Sequence, residues 1–167
     1  PELLHDFPKL SIVMVGDGSL AASLKALGER LGVEKSIHWL GFQTNVHNFI
    51  KASDIMVVPS SAEGFGLVVL ESWFHAKPVI AFDVPAINEI IEHGSDGLLI
   101  EPFSKSALIK GITKLLKDDV MLSQYGKAGQ KKQNTIYDVE NMTSSTLSVL
   151  RDLYINPSLD NSAQPKL

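Results

Sequence analysis

Residues 59–72 read PSSAEGFGLVVLES. A short apolar run, 55–58 (IMVV), precedes them and stops at Pro59, as a buried strand would. Residues 67–76 follow with helical character, and Pro78 bars their extension. A strand, a glycine-bearing loop and a helix in that order place the loop at the carboxyl end of a strand. In folds of alternating strands and helices, ligands bind there.

The same alternation runs outward in both directions. Upstream, 11–15 (SIVMV) reads as a buried β-branched strand ending at Gly16. Leucines 20, 24, 27 and 31 keep helical spacing after it, with Ser19 as the expected N-cap and Gly32 as the terminator. Residues 37–40 read as a second strand and 44–52 as a short helix. Downstream, 79–81 and 98–100 read as strands with a helical turn at 87–92 between them. After Pro102 the chain reads as helix to Tyr154, broken near Asp118 and within 135–138. The expected fold is α/β: a Rossmann-like, doubly wound parallel sheet covered by helices. The expected organisation is one ligand-binding domain over 1–155 and a polar, proline-bearing tail over 156–167.

Composition narrows the function. A length of 167 residues with 44% hydrophobic content suits one domain with a real core. A formal net charge of −4 gives little counterion release, so nucleic acid is not an expected partner. The absence of cysteine excludes disulfides, thiolate nucleophiles and Cys-ligated zinc. No apolar run has the length of a membrane span, and no signal peptide is visible. The chain begins at Pro1 rather than methionine, and the default expected location is cytoplasmic.

Within 59–72, Gly64 and Gly66 remove side chains where the backbone turns, so N–H groups can approach a ligand. The start of the following helix offers free N–H donors and partial positive charge, which suit a diphosphate. Glu71, one turn into the helix, can accept two hydrogen bonds from a vicinal diol such as a ribose. Glu63, eight positions earlier on the loop, can hold a second diol such as adjacent hexose hydroxyls. The plainer reading is that glycines make a turn and a carboxylate complements the helix dipole. The strand–loop–helix setting and the spacing favour the ligand reading.

EGFGLVVLE resembles the E-x7-E element of retaining GT-B glycosyltransferases of family four, also called group-one glycosyl transferases. The resemblance spans about residues 10–100 and includes VGDGSL, HWLGFQTNVHNFIKASDIMVVPS and KPVIAFDVPAINEIIEHGSDGLLI. It implies a nucleotide-diphosphate sugar as donor and hexosyl transfer to a glycan, lipid or other acceptor. Polysaccharide biosynthesis is the setting it suggests, with peripheral membrane association of the parent protein left open. It further implies that Glu63 contacts the donor sugar and is the candidate catalytic residue. Glu71 contacts the ribose, the backbone at Phe65, Gly66 and Leu67 lies near the phosphates, and Gly16 and Gly18 form the family's first glycine loop. No nucleophile is assigned.

No D-x-D occurs, and the five histidines show no metal-ligand spacing. No metal and no cofactor are therefore expected, and each histidine reads as surface or packing. Trp73 and Phe74 read as core, Asp118–Asp119 as an interhelical turn, and Lys131–Lys132 as a solvated face. Gly16, Gly18 and Ala21 also fit a dinucleotide fingerprint, which supports an NAD-dependent oxidoreductase as a rival. That reading needs an acid at the end of the second strand, where Leu40, Gly41 and Phe42 stand instead.

The chain departs from the family pattern in places. Pro85–Ala86 stands where a glycine pair is usual after the fourth strand, which puts contact by that loop in doubt. Ala76 replaces a usual glycine and reads as a harmless packing change. The strand and loop that carry the family's arginine and lysine would lie upstream of Pro1, as would an acceptor-binding domain. The chain is accordingly expected to be inactive alone. It could instead be a stand-alone binding module that borrows an acceptor domain from another polypeptide.

Overall fold

The computed structural model describes residues 1–155, and its contacts divide the chain into a unit of Pro1–Gln130 and a second that begins at Lys131. In the first unit, α1 (Glu2–Asp6) leads to β1 (Ile12–Val15), α2 (Ala21–Arg30), a 3-10 turn at Glu34–Ser36 and β2 (Ile37–Gly41). Then come α3 (His47–Ala52), β3 (Met56–Val58), α4 (Leu67–Phe74), β4 (Val79–Phe82), α5 (Ile87–Ile90), β5 (Gly97–Ile100) and α6 (Lys105–Leu116). Helix α7 (Asp119–Ile136) runs past Gln130, and α8 (Val139–Ile155) lies in the second unit.

Every strand pairing among the described residues is parallel, and helix separates successive strands, so the α/β reading holds. The expected single sheet is found as two pieces: β1 pairs with β2, and β3, β4 and β5 pair in that order. The β1–β2 register slips between Met14 and Val15, so that Val15 stands opposite Gly41.

The core is built around the three-stranded piece. All four residues of β4 are buried, flanked by Val58, Leu98 and Ile100 from its neighbours. Helices contribute Val69 and Trp73 from α4, Ile87 and Ile90 from α5, Leu115 from α6 and Tyr125 from α7. The strand β1, expected to be buried, is exposed: its four residues keep 39–47% of their surface. Among the described residues it has a partner on one edge only, and an apolar hollow of about 200 Å³ lies between it and the leucines of α2.

Three further expectations are corrected. Phe74 is 54% exposed while its neighbour Trp73 is fully buried, because a step of about 100° round the helix carries Phe74 off the core face. Ser19 does not cap α2; Leu20 takes that position in a helical conformation with no side-chain cap. Gly32 does end the helix, at φ +66°. Ala76 is also more than a packing change: it adopts φ +51°, the left-handed region glycine occupies at lower cost. The break at Asp118 is as read, with its carboxylate accepting the Met121 N–H at 2.8 Å. The tail 156–167 lies outside the described residues.

Candidate functional site

The segment that follows β3 is shaped by two glycines with different reasons to be glycine. Gly66 caps α4 at φ +90°, and a methyl on its Cα would stand 2.7 Å from Ile87 Cδ1. Backbone conformation and packing both require it. Gly64 has neither requirement: its φ is outside the left-handed region, and nothing lies within 4 Å of where a Cβ would be. The fold leaves open space at that backbone, between Glu63 and the start of α4.

Among the described residues no side chain caps α4, and of its first N–H groups that of Val69 is taken by the Gly66 carbonyl at 2.9 Å. Phe65 and Leu67 flank Gly66 and are exposed. Glu63 and Glu71 are half-buried. Val69 and Trp73 point to the core, and Glu71, two positions from each, lies on the far side of the helix. Its carboxylate is thus held by a helix whose other face is fixed in the core.

The loop after β1 forms a second group. Gly16, at φ +123°, donates its N–H to the Gly41 carbonyl at 2.8 Å and ties this loop to the end of β2. The Gly18 N–H donates to the Asp17 carboxylate at 2.7 Å. A cleft of about 260 Å³ opens here, lined in part by Gly16, Gly18, Ala21 and Trp39. That volume falls below the roughly 300 Å³ at which small-molecule sites begin. None of Glu63, Gly64, Phe65, Gly66, Leu67 and Glu71 lines it. The structure therefore places the predicted residues in two groups, each at the carboxyl end of a parallel strand.

At the end of β4, Ala86 adopts φ +69° and ψ −45°, and Asn88 Nδ2 donates to Asp83 Oδ1 at 2.8 Å. The alanine thus holds a backbone shape suited to glycine. After β2, which ends at Gly41, come Phe42 and Gln43, so the acid required by the dinucleotide reading is not there.

Sequence reasoning missed two features. Asp96 is buried, and its carboxylate accepts the Glu92 N–H at 2.8 Å while its carbonyl accepts from Trp73 Nε1 at 3.2 Å. His47 and His75 meet at 3.0 Å, a contact that no local spacing announces. Among the described residues, no group of three or more His, Cys, Asp or Glu is placed to hold a metal ion. Nor is any helix among them long and apolar enough to cross a membrane.

Residues 1–132 match the family described as glycosyl transferases group 1. The chain is 31% identical over 129 residues to a putative glycosyltransferase, EpsD, of Bacillus subtilis, covering 77% of this chain and 34% of that protein. It thus spans about a third of that relative's length. The crystal structure of HepE from Anabaena in complex with UDP superposes with a TM-score of 0.82 at 27% identity, over 87% of this chain and 42% of that one. The C-terminal domain of LpcC, a group 1 family protein of Francisella tularensis, superposes with a TM-score of 0.74 at 28% identity, over 81% of this chain and 74% of that one.

Proposed function

The chain belongs to the group 1 glycosyl transferases, and from that membership we propose that it is the donor-binding domain of a retaining enzyme that transfers a sugar from a nucleotide diphosphate. Glu71 holds the ribose, and Glu63 positions the sugar at the reacting carbon. The N-terminus of α4, reached through Gly64 and Gly66, stabilises the diphosphate as it leaves. Gly16 and Gly18, on the loop after β1, contribute to holding the donor. Binding needs no metal and no cofactor. The acceptor is held by a separate domain, in the same polypeptide or in another, and the chain alone transfers no sugar.

One observation carries this reading. Gly64 leaves open space that neither conformation nor packing demands, between two carboxylates and a helix start that no described side chain caps. The UDP held by the similar HepE makes uridine the first base to try.

A thermal-shift panel of UDP, GDP, ADP and NAD tests the reading. A ligand that binds only the folded state raises its stability by about 2.7 kcal/mol at a hundredfold excess over Kd. A nucleoside diphosphate, UDP first, should raise the Tm by roughly 5 °C or more. Protection by NAD alone would restore the oxidoreductase.

A further inference from the structure

Each piece of the sheet has an inner edge. The chain runs outward from β1 to β2 in one piece and from β3 through β4 to β5 in the other, so β1 and β3 are the inner strands. Doubly wound sheets reverse their strand order at that point in one of two ways. In the order 2-1-3-4-5 the inner strands pair with each other. In the order 3-2-1-4-5-6 one further strand stands between them.

The structure distinguishes the two. Among the described residues β1 and β3 do not pair, nor do they pack side by side as β1 does on β2 and β3 on β4. Helix α1 leads into β1 and is tied to α6 by Glu2–Lys105, while α6 lies over β4 and β5. A helix that leads into a parallel strand is the usual crossover from another strand of the same sheet. Exposure agrees with this. Ile12, Val13, Met14 and Val15 are apolar yet exposed, whereas β4, with a strand on either side, is buried throughout.

We propose that the inner edges of β1 and β3 form a seat for one added β-strand, and that its occupant is an extended segment of four or five apolar residues parallel to both. Such a strand lies about 4.8 Å from each neighbour and pairs along both edges. Helices cover both of its faces, so it is apolar at every position, like VIAF of β4. It carries no proline, because each of its N–H groups meets one neighbour or the other. The segment 156–167, NPSLDNSAQPKL, has two prolines and no apolar run, so it does not fit. The added strand ends between the loops that follow β1 and β3, and so brings a third loop between the Gly16 and Glu63 groups. The seat follows from the sheet alone and does not depend on which donor is bound.

The test supplies the strand. KVIVVGK, followed by a helical linker of about a dozen residues, is fused ahead of Pro1, and backbone hydrogen exchange is read by mass spectrometry. Segments 11–16 and 55–59 should both exchange at least tenfold more slowly than in the unextended chain, and the Tm should rise. A fusion carrying KVPVPGK should match the unextended chain. If the first fusion does not fold, free KVIVVGK at about 1 mM, the concentration a short tether would supply, decides by the same exchange pattern in the unextended chain. Slower exchange at 11–16 alone would mean addition to one edge, and protection by KVPVPGK would mean apolar cover without pairing. Protection of 11–16 that grows with the concentration of the unextended chain would mean that a second copy takes the edge. Each of these overturns the proposal, as does no change.

Discussion

Gly129 of α7 lies so close to the indole of Trp73 that a methyl on its Cα would stand 2.2 Å from Cδ1 and 2.3 Å from Nε1. Trp73 cannot retreat, because it is fully buried and its Nε1 donates to the Asp96 carbonyl. Gly126 faces a backbone wall, with its hypothetical methyl 2.0 Å from the Ala76 oxygen. In an exposed helix, glycine to alanine gains about 1 kcal/mol. Here Gly129→Ala should instead cost about 3 kcal/mol through overpacking. Urea unfolding followed by tryptophan fluorescence checks the sign, and a midpoint at or above wild type would refute it.

Ala76 offers the opposite case. Helix α4 ends with the Lys77 N–H on the Ser72 carbonyl at 2.9 Å and the Ala76 N–H on the Trp73 carbonyl at 2.8 Å. This is the paired closure that places its C′ residue in the left-handed region. An L-residue there costs roughly 1–2 kcal/mol, and glycine gives back roughly 0.5–1 kcal/mol in chain entropy. Ala76→Gly should therefore stabilise the protein by about 0.5–1 kcal/mol. Calorimetry should show the Tm rising by a few degrees; a fall would mean that Ala76 is not strained.

These two positions show where the sequence was readable and where it was not. The order of strands and helices could be read because apolar runs, glycines and prolines mark it locally. Ala76 and Ala86 were visible as departures from a family pattern, but the cost lies in φ, which residue identity does not display. The exposure of β1 could not be read, since IVMV is as apolar as a buried strand and burial depends on which layers meet it. Trp73 and Phe74 look alike in sequence, and one helical step separates core from surface. His47 and His75 lie 28 positions apart, and only the packing of α3 beside α4 brings them together. The Glu63 loop was legible because strand, glycines and helix start are adjacent in the chain.

Two exposed ion pairs tie α1 to α6: Lys105 Nζ to Glu2 and Lys117 Nζ to Asp6, at 2.6 Å and 3.2 Å. The hydrogen bond and charge of Lys105 hold the Glu2 carboxyl below its ordinary value; for Asp6, His5 acts first and then Lys117. A folded pKa below the unfolded value gives stabilisation that is present above the unfolded value, near pH 4, and lost as pH falls through the folded one. Carboxyl NMR titration should therefore place both midpoints below those of model peptides. Lys105→Ala should return Glu2 to the ordinary value, while Lys117→Ala returns Asp6 only in part. Midpoints that ignore both substitutions would show that the pairs do not persist in solution.

Nucleotide binding should proceed without a divalent metal, since the sequence has no D-x-D and no carboxylate cluster for one is found among the described residues. Calorimetry of UDP binding with magnesium and with EDTA should give the same Kd within about twofold. A strict magnesium requirement would count against the donor-site assignment.

Glu63 and Glu71 should fail in different ways. Glu71 sits on a helix anchored by Val69 and Trp73, so its place is fixed relative to the core. The proposed role gives it the ribose, which every nucleotide ligand carries. Glu63 lies on the loop before the open backbone at Gly64, and its role gives it the sugar, which only the full donor carries. A hydrogen bond to a charged group contributes about 1.5–3 kcal/mol, or roughly tenfold to a hundredfold in affinity. Glu71→Ala should weaken both UDP and the matching UDP-sugar by that factor. Glu63→Ala should leave UDP nearly unchanged and weaken only the sugar-bearing ligand. In an enzyme that also carries the acceptor domain, Glu63→Ala should lower kcat as well, because misplacing the reacting carbon forfeits the gain from orientation. If both carboxylates merely complemented the dipole of α4, each substitution would cost a little stability and neither would tell the two ligands apart. Titrating both variants with both ligands separates these cases. Equal losses for UDP and UDP-sugar in Glu63→Ala, or no loss for either in Glu71→Ala, would remove the roles assigned to them.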